Sequence, residues 1–275
     1  MAAAVSFAAM GEARGLNLLF FGDVVGQAGC DKLRRELPRL KKELQAGIVV
    51  VNGENSAEGN GITPHSADHL LDSGVDVITT GNHSLRRREI YDYLETHPQV
   101  IRPANYHPSA PGAGWYLYDL PSFPLAVINL QGRVYLEQSC ESPFDCVDRL
   151  LDKISCPNVL VDFHAEATAE KLALGFYLDG RVSAIVGTHT HIQTADERLL
   201  PKGTAYITDV GMCGGRNSIL GVSRERALER MRTGLPVRFV NDPEEVELHG
   251  VLLKFSGQPG RVQEIVRFVV PADKN

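Results

Sequence analysis

Short apolar runs alternate with helix-period patterns along most of the chain. Leu16 to Phe21 is one such run and breaks at Gly22-Asp23. Ile48 to Val51 is the next and breaks at Asn52-Gly53-Glu54-Asn55. Val75 to Thr79 is the third and breaks at Gly81-Asn82-His83. Runs this short, bounded by Gly and Asn, have strand length. Between them, Asp31 to Gln45 carries leucines at 33, 37, 40 and 44, spacings of four, three and four that make one helical stripe. Pro38 lies inside it and predicts a kink or a restart. Thr63 before Pro64 is an N-cap followed by proline at the first helical position, so a short helix runs on to Gly74. Arg86 to His97 reads as the next helix.

The second half continues the alternation after a loop-rich stretch, Pro103 to Pro124, that holds short strands. Strands are expected at Leu125 to Leu130, Asn158 to Phe163 (ending at His164), Val182 to Val186 (ending at Gly187-Thr188-His189) and Thr204 to Ile207, near Asp209-Val210-Gly211. Helices are expected at Asp145 to Ile154 and Ala167 to Tyr177, and Glu247 to Phe255 and Val262 to Val270 are strand-like. The irregular stretch 213–236 reads as a cap over a site or as a surface excursion. Strand–helix alternation implies an α/β layered sheet.

Composition narrows the function classes. The 275 residues are 43% hydrophobic, enough for a real core and against a disordered chain. No apolar run approaches the ~20 residues of a membrane span. The net charge of −6 argues against a partner made of long nucleic acid, yet leaves room for a small anionic substrate held by metal ions. Five cysteines without a Cys-x-x-Cys pair suit a reducing cytoplasm. The alanine-rich stretch 1–16 reads as a flexible N-terminal extension before one domain, 17–275. A homo-oligomer is compatible with all of this.

The polar residues fall in an unusual place. Asp23, Glu54-Asn55, Asn82-His83, His164 and His189-Thr190-His191 all stand just past the end of an apolar run. In open α/β sheets that edge is where ligands bind. Any one of them alone is more often a cap, a turn former or a structural histidine. Together they offer two carboxylates, two amides and four imidazoles. Oxygen and imidazole donors without thiolate suit iron or manganese, with zinc as an alternative, and the set is too large for one ion and about right for two. In extended chain, residues i and i+2 share a face, which would aim His189 and His191 at one site.

These segments resemble the calcineurin-like metallophosphoesterases, which carry an Asp after the first strand, an acidic bridging segment, Gly-Asn-His, an isolated His and a final His-x-His. The likeness is closer to one bacterial branch, the YmdB-like 2′,3′-cyclic-nucleotide 2′-phosphodiesterases, through Arg102-Pro103-Ala104-Asn105, Asn129 to Arg133, His189 to Asp196 and Pro201 to Gly211. The resemblance implies a layered fold with central sheets sandwiched by helices and two metal ions at the strand ends. Asp23, Glu54, Asn55 and His191 would hold one ion, and Glu54, Asn82, His164 and His189 the other. His83 would be the proton donor. A hydroxide shared by the metals would open the 2′ bond of a 2′,3′-cyclic nucleotide and leave a 3′-nucleotide. Two departures stand out. Val25 occupies a position that is His in the wider superfamily, with Asn55 filling the vacancy. Arg86 stands where the branch carries an acidic residue three positions after the motif histidine, within a run, Arg86-Arg87-Arg88, that reads either as a solvated helix start or as a cationic rim for phosphate.

Other chemistries find no support. Gly22-x-x-x-Gly26-x-x-Gly29 lacks the second glycine of a dinucleotide loop, and no P-loop, Gly-x-Ser-x-Gly elbow or His-Glu-x-x-His follows. Cys30 near a helix start is either a thiol of lowered pKa or a quiet small residue. Two further readings stay open: a nucleotide-binding protein without hydrolysis, which would lack a stoichiometric pair of ions, and a regulatory scaffold, whose role would survive loss of the ligands.

Overall fold

The apolar runs form strands buried on both faces, so alternate residues enter different cores. The computed structural model describes residues 15–273 apart from Gly59, Ser122 and Gln138. Among these, the first sheet contains β1 (Asn17–Phe21), β2 (Asp23–Val24), β3 (Ala46–Asn52) and β4 (Val77–Thr79), joined by β11 (Met212–Gly215), β12 (Val246–Phe255) and β13 (Val262–Val270). Its order is β2-β11-β12-β1-β3-β4, with β13 paired to β12. The second sheet runs β5-β6-β7-β8-β10-β9, from β5 (Trp115–Tyr118), β6 (Leu125–Gln131), β7 (Asn158–His164), β8 (Ala184–Thr188), β9 (Arg198–Leu199) and β10 (Ala205–Ile207). β1, β3 and β4 are parallel, as are β6, β7, β8 and β10. All their C-terminal ends therefore fall on one edge within each sheet.

Leu18, Phe20, Ile48, Val50 and Val77 face Leu125, Val127, Leu160, Ala184 and Val186 in a core between the sheets. Leu19, Phe21, Val49 and Val51 face outward onto Leu33, Leu37 and Leu40 of helix α1 (Gly26–Glu43), and onto α2 (Pro64–Asp72) and α3 (Ile90–Thr96). On the far side, Ile128, Leu130, Val161 and Phe163 pack against α4 (Pro143–Leu151) and α5 (Thr168–Leu178). The architecture is helix, sheet, sheet, helix, and burial on both faces explains why the strands read as continuous apolar runs. No helix among the described residues is long and apolar enough to cross a membrane.

Several expected boundaries move. α1 starts at Gly26 rather than Asp31 and passes through Pro38 as one helix of 18 residues, without a restart. Its leucine stripe, buried against the sheet, outweighs the single hydrogen bond that proline removes. Arg86 to Glu89 lie before α3, in turns closed by Arg86 N–H to the His83 carbonyl and Ile90 N–H to the Arg87 carbonyl. The stretch 213–236 divides: Cys213 to Gly215 complete β11, and α6 (Arg224–Thr233) follows as an exposed helix. Thr63 caps α2 as expected, in a reciprocal pair with Ser66. The flexible extension expected over 1–16 lies outside the described residues as far as residue 14. Leu16 joins the sheet, its carbonyl accepting from Phe255 N–H at 2.8 Å.

Candidate active site

Five segments converge at the C-terminal edge where the two sheets meet. The first sheet brings Asp23 in β2, Glu54-Asn55 after β3 and Asn82-His83 after β4. The second brings His164, the last residue of β7, and His189 and His191 after β8. Asp23, Glu54 and His164 are buried. His164 Nε2 lies 3.0 Å from Asn82 Oδ1, 3.2 Å from Glu54 Oε1 and 3.1 Å from His189 Nδ1. His191 Nε2 lies 3.7 Å from Asp23 Oδ1 and accepts from Asn55 Nδ2 at 3.3 Å. Asn55 also donates to Glu54 Oε1 at 3.1 Å. Every metal-ligand candidate from the sequence falls in this one cluster.

The outer contacts set which nitrogen of each imidazole faces inward. His164 Nδ1 sits 2.9 Å from Thr188 Oγ1; that hydroxyl donates to Asp162 Oδ1, so its oxygen accepts Nδ1–H. His189 Nε2 donates to Glu166 Oε2 at 2.9 Å. His191 Nδ1 donates to the Leu220 carbonyl at 3.0 Å. This leaves Nε2, Nδ1 and Nε2, respectively, turned toward the carboxylates. His189 and His191 do not use extended chain for this. Their φ angles are 104° and 65°, so both are left-handed, and the turn rather than strand alternation aims them.

The electrostatics fit a cation. His164 Nε2 faces three acceptor atoms, and one proton can serve only one of them. Burial opposes charge on His164, but Glu54 and then Asp23 push its pKa up to about 9. Burial and the neighbouring His164 drive His189 down to about 3. Glu54 is held well below the usual carboxylate range: burial works against it, but His164 and His83 prevail. Asp23 is pushed up by burial, and its Oδ1 is a buried oxygen with no hydrogen-bond partner. Ligand atoms of Glu54, His164 and His189 lie within 4.8 Å of one another. An orphaned carboxylate oxygen beside inward-facing imidazole nitrogens is the donor set a divalent ion satisfies.

His83 occupies the rim. Its backbone N–H donates to Glu54 Oε2 at 3.0 Å, and its Nδ1 lies 3.0 Å from Asn55 Oδ1 and 3.2 Å from Glu54 Oε1. These two groups orient the ring in place of an acidic residue at position 86, leaving Nε2 for a substrate. The Arg87 guanidinium donates to the backbone carbonyls of Asn60 and Glu58. Val25 is buried and packs against Gly221, while the next amide, Gly26 N–H, donates to the Asn55 carbonyl at 2.8 Å. Gly81 has no room for a side chain, because a Cβ there would lie 2.2 Å from the His164 ring and 2.4 Å from Glu54 Oε2. Burial pushes the Cys30 thiol up to about 12, so it is a quiet residue rather than an activated one.

The YmdB-like protein family model matches residues 19–268. The chain belongs to the YmdB-like family. A Bacillus subtilis member named 2′,3′-cyclic-nucleotide 2′-phosphodiesterase is 45% identical over 260 residues, covering 94% of this chain and 98% of that one. A crystal structure of a hypothetical protein from Thermus thermophilus superposes with a TM-score of 0.89 at 40% identity, covering 94% of this chain and all of that one. A novel phosphatase from Mycoplasma pneumoniae superposes with a TM-score of 0.90 at 33% identity, covering 95% of each.

This YmdB-like chain also relies on residues whose roles sequence reasoning missed. Asp209 Oδ2 accepts from Thr190 N–H at 3.0 Å and Thr190 Oγ1 at 2.8 Å, clamping the residue between the two left-handed histidines. Lys171, buried in α5, donates to the same oxygen at 2.7 Å. A signal existed for it: Lys171, Leu174, Gly175 and Leu178 share the buried stripe of α5, where a lone lysine needs a buried partner. Asp162 accepts from Asn52 and Thr79 across the sheets and from Thr188 of the neighbouring strand, and burial pushes it up to about 6. Glu166 and the Leu220 carbonyl had no such signal.

Proposed function

We propose that the chain is a 2′,3′-cyclic-nucleotide 2′-phosphodiesterase that works with two metal ions and leaves a 3′-nucleotide. Asp23, Glu54, Asn55 and His191 would hold one ion, and Glu54, Asn82, His164 and His189 the other, with Glu54 common to both. Iron or manganese suits this set of oxygen and imidazole donors, and zinc is the alternative. When bound, the pair supplies Lewis acidity for the phosphoryl oxygens and lowers the pKa of water. The chain's own residues do the rest. His83, held at Nδ1 by Asn55 and Glu54, would present Nε2–H to the departing 2′ oxygen of the ribose. Thr188, Glu166 and the Leu220 carbonyl would keep the three ligand imidazoles in register, so that no reorganisation is needed during the reaction. The cytoplasm is the proposed location, in keeping with five free cysteines.

The observation that carries this reading is the orphaned Asp23 Oδ1 beside inward-facing imidazole nitrogens, in a chain 45% identical to a protein of that name. Metal analysis of the purified protein, with a panel of cyclic and linear phosphodiesters, tests it. About two ions per chain and release of the 3′-nucleotide are expected. Glu54→Gln keeps the volume but removes the bridging charge, so both metal content and turnover should fall. Turnover with both ions retained in that variant would remove Glu54 from the site. A loaded protein that hydrolyses no phosphodiester would be a binding protein instead.

A further inference from the structure

The loop after β6 grows out of the site itself. Gly132 N–H donates to the His164 carbonyl at 2.9 Å, so the chain leaves the sheet beside a candidate metal ligand. A Cβ at Gly132 would stand 2.5 Å from both Ala165 Cβ and Glu170 Oε2, which shows how closely the loop is pressed onto the start of α5. The Glu170 carboxylate then accepts two successive backbone donors, Arg133 N–H at 2.9 Å and Val134 N–H at 3.2 Å. The next residue, Tyr135, has φ 65° and is 84% exposed. Left-handed backbone is strained for a bulky residue and persists only where its surroundings impose it. Here the Glu170 clamp anchors the two preceding amides, and the ring projects into solvent, where packing returns little.

An aromatic face presented outside the core, with the exposed Arg133 two residues away, has the chemistry of a base-stacking platform. Every nucleobase has a π-face, and a guanidinium adds attraction for the ring and its phosphate. At no more than ~3.6 Å per residue, Tyr135 Cα lies within ~11 Å of Gly132, which keeps the ring near the strand edge that carries the candidate ligands. We propose that Tyr135, assisted by Arg133, stacks on the nucleobase of the substrate, an inference that rests on the cyclic-nucleotide reading above. The loop would make the base a determinant of affinity while the strand-end cluster handles the phosphate.

The test compares adenosine 2′,3′-cyclic phosphate with 1-O-methylribose 2′,3′-cyclic phosphate, which has the same reacting centre and no base. Stacking on one aromatic side chain corresponds to about 5–150-fold in affinity. Tyr135→Ala should therefore raise the KM for the nucleotide about tenfold relative to the KM for the base-free compound, and Tyr135→Phe should restore the wild-type ratio. An unchanged ratio, or a Phe variant as weak as the Ala variant, would overturn the platform. So would a change of oligomeric state in Tyr135→Ala with the ratio intact, which would make the ring a contact between copies. Calorimetric binding of adenosine 3′-monophosphate decides the matter without turnover: weaker binding in the Ala variant supports the platform and equal binding rejects it. Wild-type protein that turned over neither cyclic compound would reject the proposed reaction, and the calorimetric result would still decide the platform.

Discussion

His83 and His164 both approach Glu54 Oε1 at 3.2 Å, and the proposed reaction gives them different work. His83 Nδ1 is engaged by Asn55 and Glu54, so in the proposed reaction its Nε2 would be the proton-donating atom. A proton donor matters most for a poor leaving group, and a ribose alkoxide is one whereas p-nitrophenolate is not. His83→Ala should slow hydrolysis of a 2′,3′-cyclic nucleotide ~10²–10⁴-fold. It should barely change turnover of bis-p-nitrophenyl phosphate and should keep both metals. Parallel losses on the two substrates would make His83 a stabiliser of the phosphoryl oxygens instead. His164, pushed up to about 9 against its own burial by Glu54 and Asp23, holds a proton at neutral pH where a cation would bind. The sign follows: below that pKa the proton competes with the metal. Apparent metal affinity should rise about tenfold per pH unit from pH 7 toward 9 and then level off, with proton release on loading. Calorimetry in two buffers of different ionisation enthalpy reads the proton number, and a pH-independent affinity would show that no such proton is displaced.

The ends of β7, β8 and β10 act together on the final His-x-His. β8 delivers Thr188, which locks His164; the chain then turns left-handed at His189 and His191. Asp209, two residues beyond β10, holds Thr190 between them, and Lys171 of α5 balances its charge. Both partners of that ion pair are 1% exposed. Removing one member of a buried pair leaves an uncompensated charge, typically ~3–5 kcal/mol destabilising. Lys171→Met should therefore lower the melting temperature by about 10 °C, at roughly 2–4 °C per kcal/mol for a chain of this size. A melting temperature within 1–2 °C of wild type (about 0.5 kcal/mol on that scale) would mean that the turn holds Asp209 without the lysine.

Across the whole molecule, the site is a seam between two sheets. Asp23, Glu54, Asn55 and Asn82 come from the first, and His164, His189 and His191 from the second. Beneath them the inter-sheet core changes from apolar side chains to a polar layer, where Asn52 of β3 and Thr79 of β4 donate to Asp162 of β7. Ions held there would bind the native state alone and tie the layers together. At a free concentration ~1,000 times the dissociation constant, linkage corresponds to about 4 kcal/mol. Chelation should lower the melting temperature by about 10 °C, and readdition of manganese or iron should restore it. Identical transitions for the stripped and loaded proteins would be incompatible with ligands shared between the sheets.

From the sequence by itself came the alternation of strands and helices, the α/β layering and the eight candidate residues that the fold gathers at one edge. These were legible because strand length, turn chemistry and donor type are local properties, and because parallel strands place their C-terminal ends on one edge. The same locality set the errors. α3 begins at Ile90 and α1 at Gly26, since packing against the sheet, not propensity, sets where a helix begins. Only the tertiary structure decided which nitrogen each imidazole turns inward, because that depends on Glu166, Thr188 and the Leu220 carbonyl. It alone paired Lys171 with Asp209, 38 residues apart, and set Asn55 and Glu54 against His83 where an acidic neighbour was expected. Such partners are brought together by how strands, helices and loops far apart in sequence pack, and no short-range pattern in the chain encodes a contact of that kind.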